Sequence, residues 1–422
     1  MVQPNNNRMK ISFPNLALVL GLLAAAPLAR AANDWPQWRG PDRNDVSKET
    51  GLLKAWPEGG PKRVWMFENA GQGYSGPAMA GGKLFTIGTR DNREVLLALD
   101  AATGKERWVA PLSGVLKNGW GDGPRGTPTV DGGMVYALSG EGSLVCVQVA
   151  DGKKVWEKTM SSFGGKKPGW GFTESPLVDG GKVLCTPGGA KGAIVALDKK
   201  TGNVLWQSAE FTDGAQYASI IAADVKGVRQ YIQLTMQSIV GLDATDGKVL
   251  WKSPFPGQTA VIPTPIYRDG QVYVTAGYSV GCKSLKIVGG AEPETLYENK
   301  VMKNHHGGAI LVGDYVYGHS DGGGWVCQNF KTGEEVWSEK KLGKGAIACA
   351  DGMLYCLDES KGTVALIEAS PDGWKEHGRF TLSPQTKIRN PEGRIWTHPV
   401  ISNGKLYLRD QDLIYCFDVK KG

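Results

Sequence analysis

ALDAATGKERW, residues 98–108, returns four more times along the 422-residue chain, as CVQVADGKKVW (146–156), ALDKKTGNVLW (196–206), GLDATDGKVLW (241–251) and CQNFKTGEEVW (327–337). The five copies align without a gap, Gly seventh and Trp eleventh. Successive tryptophans lie 48, 50, 45 and 86 residues apart, the last interval holding two periods with a degenerate copy around residues 282–297. A period in this range sets the architecture of a chain. Working outward, KRVW ending at Trp65 supplies the tail of the motif alone, and CFDVKKG from Cys416 supplies its head alone.

A second element precedes each unit: GPAMAGGKLFTI (76–87), TPTVDGGMVYAL (127–138), SPLVDGGKVLCT (175–186), ASIIAADVKGVRQYIQL (218–234), TPIYRDGQVYVT (264–275), AILVGDYVYGHS (309–320), AIACADGMLYCL (346–357) and HPVISNGKLYLR (398–409). Two apolar runs around Asp-Gly, Gly-Gly or Asn-Gly form a β-hairpin, because those pairs accept the positive φ of tight turns. The D-x-x-T-G-K loop suits a second hairpin, so each unit is four strands. Glycine, 59 of 422 residues, is about twice its usual ~7 % share, and 21 % of residues are charged, which excludes disorder and coiled coil. Eight four-stranded units predict an all-β, eight-bladed β-propeller of antiparallel strands over residues 62–422. Blades cannot bury both faces alone, so the ring must close. The strand ending at Trp65 is expected to be the outer strand of the last blade, and its removal (62–67) to cost more stability than removal of residues 33–43. Trp65, Trp108, Trp156, Trp206, Trp251 and Trp337 are assigned to docking between blades.

The repeat A-x-D-x-x-T-G-K-x-x-W resembles the tryptophan-docking repeat of the quinoprotein (pyrroloquinoline quinone, PQQ) alcohol dehydrogenase superfamily, which implies eight blades. The same repeat occurs in non-enzymatic relatives, such as the lipoprotein propeller that assists outer-membrane protein assembly. DWPQWRGPDRN (34–44) is similar to exported proteins labelled polyvinyl-alcohol dehydrogenase-like. The enzymes of the superfamily imply an adjacent Cys-Cys disulfide over the quinone, a Trp floor, Ca²⁺ held by Glu, Asn and Asp, and an Asp base. This chain has no adjacent Cys pair and no haem motif; Trp170, Glu174, Arg125 and Asp321 are its nearest chemical types. The resemblance therefore favours a ligand-binding or protein-assembly scaffold without a cofactor. A PQQ- and Ca²⁺-dependent alcohol dehydrogenase is the alternative.

Arg8 and Lys10 precede the apolar run 16–28, and Ala29-Arg30-Ala31 follows. This is the form of a secretory signal peptide over residues 1–31. It predicts a periplasmic or secreted protein with no lipid attachment site, and an extension over residues 32–61 that packs on the propeller. Seven widely spaced cysteines fit buried apolar positions better than a disulfide framework. The 48 Lys and Arg are scattered among 42 Asp and Glu, without the basic stripe a nucleic acid requires. The expected partner is a small molecule, a glycan or a protein, bound by a monomer.

Residues just before the innermost strand of each blade gather around the axis. They nominate Tyr74, Arg125, Trp170, Glu174, Tyr217, His305, His306, Lys344, Trp396 and His398, a set rich in aromatic and basic groups, as a funnel site. No metal site is assigned. If 305–306 were extended, only one of its two histidines could face the axis.

Overall fold

The computed structural model describes residues 1–2, 33–288 and 292–421; the rest of the expected signal peptide lies outside the described residues. Eight four-stranded antiparallel sheets form blades 1 to 8, over residues 78–114, 129–159, 177–207, 221–254, 266–299, 309–339, 345–381 and 400–418. Each of the eight units read from the sequence is one blade. The strand Arg63–Phe67 pairs with Leu413–Asp418, Trp65 opposite Cys416, and so completes blade 8. No helix among the described residues is long and apolar enough to cross a membrane.

The repeat residues act through one joint. Opposite each docking tryptophan the neighbouring strand carries a small residue: Ala98 faces Trp108, Cys146 faces Trp156, Ala196 faces Trp206 and Cys327 faces Trp337. The indole then crosses to the next blade, where Trp65, Trp108, Trp156 and Trp206 lie on the glycine of the turn loop (Gly104, Gly152, Gly202 and Gly247) and Trp337 lies against Trp374 instead. A Cβ on Gly152 would stand 2.6 Å from Trp108, and one on Gly202 would stand 2.8 Å from Trp156. Both glycines have φ near +70°, which any other residue adopts at a cost. The indole N–H of Trp65, Trp108, Trp156 and Trp337 donates to Ala101, Val149, Lys199 and Ser370 O, at 2.9–3.0 Å. The loop aspartates hold the turn, Asp100 and Asp198 each accepting from a threonine N–H.

The Trp206 indole N–H has no acceptor among the described residues, and three further joints depart from the pattern. Trp251 is buried but donates within its own blade, to Gln230 Oε1 at 2.7 Å, over Gly241, where a Cβ would meet the ring at 2.2 Å. Tyr297 takes the tryptophan's place in blade 5, above Gly333. In blade 7 the place belongs to Arg379, and Trp56 fills the adjoining core against Phe380 and Tyr355. All seven cysteines are free and buried.

The extension does more than pack on the ring: it enters the axis. Trp35 exchanges two backbone hydrogen bonds with Met79 of blade 1, and Pro36 O accepts from Val130 N of blade 2. Arg43 donates to Ser175 and Pro176 O of blade 3, and Arg39 to Thr264 O of blade 5 and Ala309 O of blade 6. Val46–Ser47 adds a parallel fifth strand to the inner edge of blade 7, Val46 opposite Cys349. The inner strands present unpaired edges to the channel, and this segment satisfies them. Arg39, Arg43 and Asp45 all have positive φ, at 61°, 53° and 58°. Such strain persists only where surrounding contacts over-determine it. The expected mildness of losing residues 33–43 therefore does not fit this arrangement.

Candidate functional site

Above this plug opens a funnel of about 460 Å³. Its floor is Trp38, whose ring lies 4.5 Å from that of His398 and whose indole donates to Thr264 Oγ1 at 2.9 Å. All eight blades supply its wall. Nine of the ten residues nominated from the sequence line it: Tyr74, Arg125, Trp170, Tyr217, His305, His306, Lys344, Trp396 and His398.

Glu174 does not. It is 2 % exposed and turned inward, its Oε1 accepting from Thr186 N with Arg43 nearby. Three residues before the inner strand, its side chain falls on the opposite side from that of Thr173, which does line the funnel. Trp38, Trp120, Tyr278 and Glu359 were not anticipated. Trp38 comes from the plug, whose path no periodicity announces. Tyr278 and Glu359 come from hairpin turns of blades 5 and 7 rather than from the segments before inner strands.

The histidine pair also differs from expectation. Residues 304–308 are not a strand, and both rings line the funnel with centroids 4.2 Å apart. Gly307 and Gly308 permit the bend; a Cβ on Gly307 would strike Gly345 O. Rings run from Tyr278 through His305 and His306 to Trp396 and Tyr74, at successive spacings of 4.4, 4.2, 5.2 and 4.8 Å.

Charges around this arc are arranged in pairs. Lys344 Nζ stands 2.6 Å from His305 Nδ1 and 2.8 Å from Asp321. Burial, then the Lys344 charge, pulls His305 down to about 4, so the neutral ring accepts from the ammonium. Burial also holds His306 well below its ordinary range, with the neighbouring His305 and Lys344 adding to it. His306 Nδ1 faces Glu359 Oε2 at 3.2 Å, and burial raises that carboxyl to about 8 despite Lys344. Both groups are thus mainly neutral at pH 7. His398 has both ring nitrogens engaged, Nδ1 with Asp45 and Nε2 with His306 O, each at 3.0 Å.

A quinone–calcium pair requires acidic and amide oxygens converging beside a flat ring. Glu174 and Asp321 are committed elsewhere, and no group of three His, Cys, Asp or Glu among the described residues is placed to hold a metal. A second cavity of about 510 Å³ lies at the other end of the inner strands, lined by Asp42, Asp131, Asp179 and Arg229 among others. Its acids are paired, Asp131 with Lys199 and Asp179 with Arg229, and it lacks aromatic walls. The funnel is the better ligand site.

The buried acids give a pH prediction. Glu94 and Glu174, both raised to about 7 by burial, join Glu359 at about 8. The native state keeps protons that an unfolded carboxyl releases near 4.5, so this contribution is lost as pH rises toward 7–8. His305 and His319, lowered to about 4 by burial, oppose it below pH 6.5. Unfolding free energy is therefore expected to drop by about 2–4 kcal/mol between pH 6.5 and 8.5. Urea titrations showing equal stability at both values would remove these protonated carboxyls.

Residues 49–137 and 115–339 match the family described as outer membrane protein assembly factor BamB. The match spans more than half of the chain, which belongs to that family. Among solved structures, BamB from Moraxella catarrhalis aligns at 17 % identity with a TM-score of 0.60, covering 85 % of this chain and 98 % of that one. Quinohemoprotein alcohol dehydrogenase from Comamonas testosteroni aligns at 14 % and 0.51, covering 94 % and 82 %. The computationally designed protein Ika8 aligns at 12 % and 0.59, covering 85 % and 100 %. These likenesses bear on the fold. No curated protein matches the chain.

Proposed function

We propose that this chain is an exported binding scaffold that holds a ligand in its axial funnel. One observation carries this: all eight blades and the N-terminal plug deliver side chains to a single aromatic-walled funnel, where packing alone would need only apolar filling. Export is supported by the charged and apolar amino terminus. The assembly-factor description of the family supports a scaffold role.

A thermal-shift screen tests the proposal, with neutral and acidic oligosaccharides, short peptides, and PQQ with and without Ca²⁺. Affinities of the hits are then measured on Trp170→Ala, His306→Ala and Trp396→Ala. These residues come from blades 3, 6 and 8, so each variant is expected to weaken the same binding event, the aromatic losses by about 1–2 kcal/mol. A hit indifferent to all three would place the site elsewhere. Saturable PQQ binding with dye-linked alcohol oxidation would replace the scaffold with the dehydrogenase alternative.

A further inference from the structure

Two funnel cations differ from the others. Arg39 is paired with Asp45 and Lys344 with Asp321, both at 2.8 Å. Arg125 and Arg394 also line the funnel, yet neither forms an ion pair among the described residues. Arg125 donates to Trp170 and Gly121 O (3.2 and 2.9 Å), with its guanidinium 4.7 Å from the centre of the Tyr74 ring. Arg394 donates to Pro391 and Gly393 O (2.9 and 2.7 Å). The wall acid facing Arg394, Glu359, is uncharged at neutral pH, and Glu392 is exposed at the lip. Two guanidinium groups thus stand around a concave site without an ion-pair partner, Arg125 with only the more distant, burial-raised Glu94 acting on it, which suits an anion with planar carboxylates.

The rings indicate the body of that anion. A flat ligand stacked on both faces needs two rings parallel to it, each offset-stacked on one face. Here neighbouring rings are tilted, Tyr74 to Trp396 by 39°, His306 to Trp396 by 54° and Trp170 to Tyr217 by 80°. Trp120 stands 48 % exposed at the lip. Rings set at several angles meet the C–H faces of a puckered, non-planar molecule. We propose that the funnel recognises an acidic sugar, a uronate-bearing oligosaccharide, with Arg125 and Arg394 taking its carboxylates and the tilted rings its apolar faces. This rests on the funnel being the ligand site.

The test is calorimetric titration of the full chain with trigalacturonate, its methyl ester, a sulfated trisaccharide and PQQ. Trigalacturonate is expected to bind, the uncharged ester at least tenfold more weakly, and Arg125→Gln and Arg394→Gln each to lose about tenfold for the acid alone. Trp396→Ala should weaken acid and ester together. Melting curves establish that each variant is folded; Arg394, close to the lip, serves if Arg125→Gln is not. Equal binding of acid and ester, or binding of PQQ or the sulfated sugar with none of trigalacturonate, overturns the sugar assignment and leaves the funnel standing. Trigalacturonate binding that ignores Trp396→Ala and both arginine variants overturns the funnel itself.

Discussion

Arg39→Ala is expected to destabilise the ring by about 3–5 kcal/mol, the cost of leaving one member of a buried ion pair alone. Arg39 and Asp45 are each 1 % exposed and 2.8 Å apart. Burial lowers the Arg39 pKa, with Asp45 acting against it. The guanidinium also ties blade 5 to blade 6 through Thr264 and Ala309 O, and Asp45 steadies His398. Truncation therefore leaves a buried carboxylate, two carbonyls without their donor and a looser funnel floor. Urea unfolding of the parent and variant measures the loss. The Arg39→Ala, Asp45→Ala double variant should be less destabilised than the two single losses added together. A difference below about 1 kcal/mol for Arg39→Ala would mean that the plug merely sits in the channel.

Trp156→Ala is expected to cost about 3–5 kcal/mol as well, through a cavity rather than a charge. Its ring lies over Gly202 of the next blade, contacts Tyr136 at 5.9 Å and donates to Lys199 O. The surroundings cannot collapse into the space, because Gly202 belongs to a turn pinned by Asp198. Ligand affinity at the axis should change little. A melting temperature within about 2 °C of the parent would contradict the docking role.

The ring was legible because its joint is periodic. Gly and Trp recur at fixed offsets, each unit repeats a hairpin signature, and the halves at Trp65 and Cys416 announced closure. What broke the period was harder to read. Tyr297 replaces a tryptophan with another large ring and was found by position. Arg379 keeps no trace of the motif, and its job passes to Trp56, more than 300 residues away. Trp251 keeps the sequence position but not the partner.

The funnel was legible where the residues before inner strands supply it. Glu174 failed by a single residue of alternation, and the histidine pair because Gly307 and Gly308 bend a segment that would otherwise be extended. That residues 32–61 pack on the ring was expected, but their path into the axis could not be read. Arg39, Arg43 and Asp45 take positive φ only because buried partners on several blades hold them there, and nothing in DWPQWRGPDRN states where those partners stand.

One ligand is expected to touch many blades at the axis. Hydrogen exchange followed by mass spectrometry, with and without a saturating hit from the screen, measures this directly. Slowed exchange is expected together in residues 71–76, 118–126, 169–175, 214–219 and 304–308, segments far apart in sequence that meet at the funnel. Slowing confined to the outer strands of one or two adjacent blades, with these five segments unchanged, would contradict it.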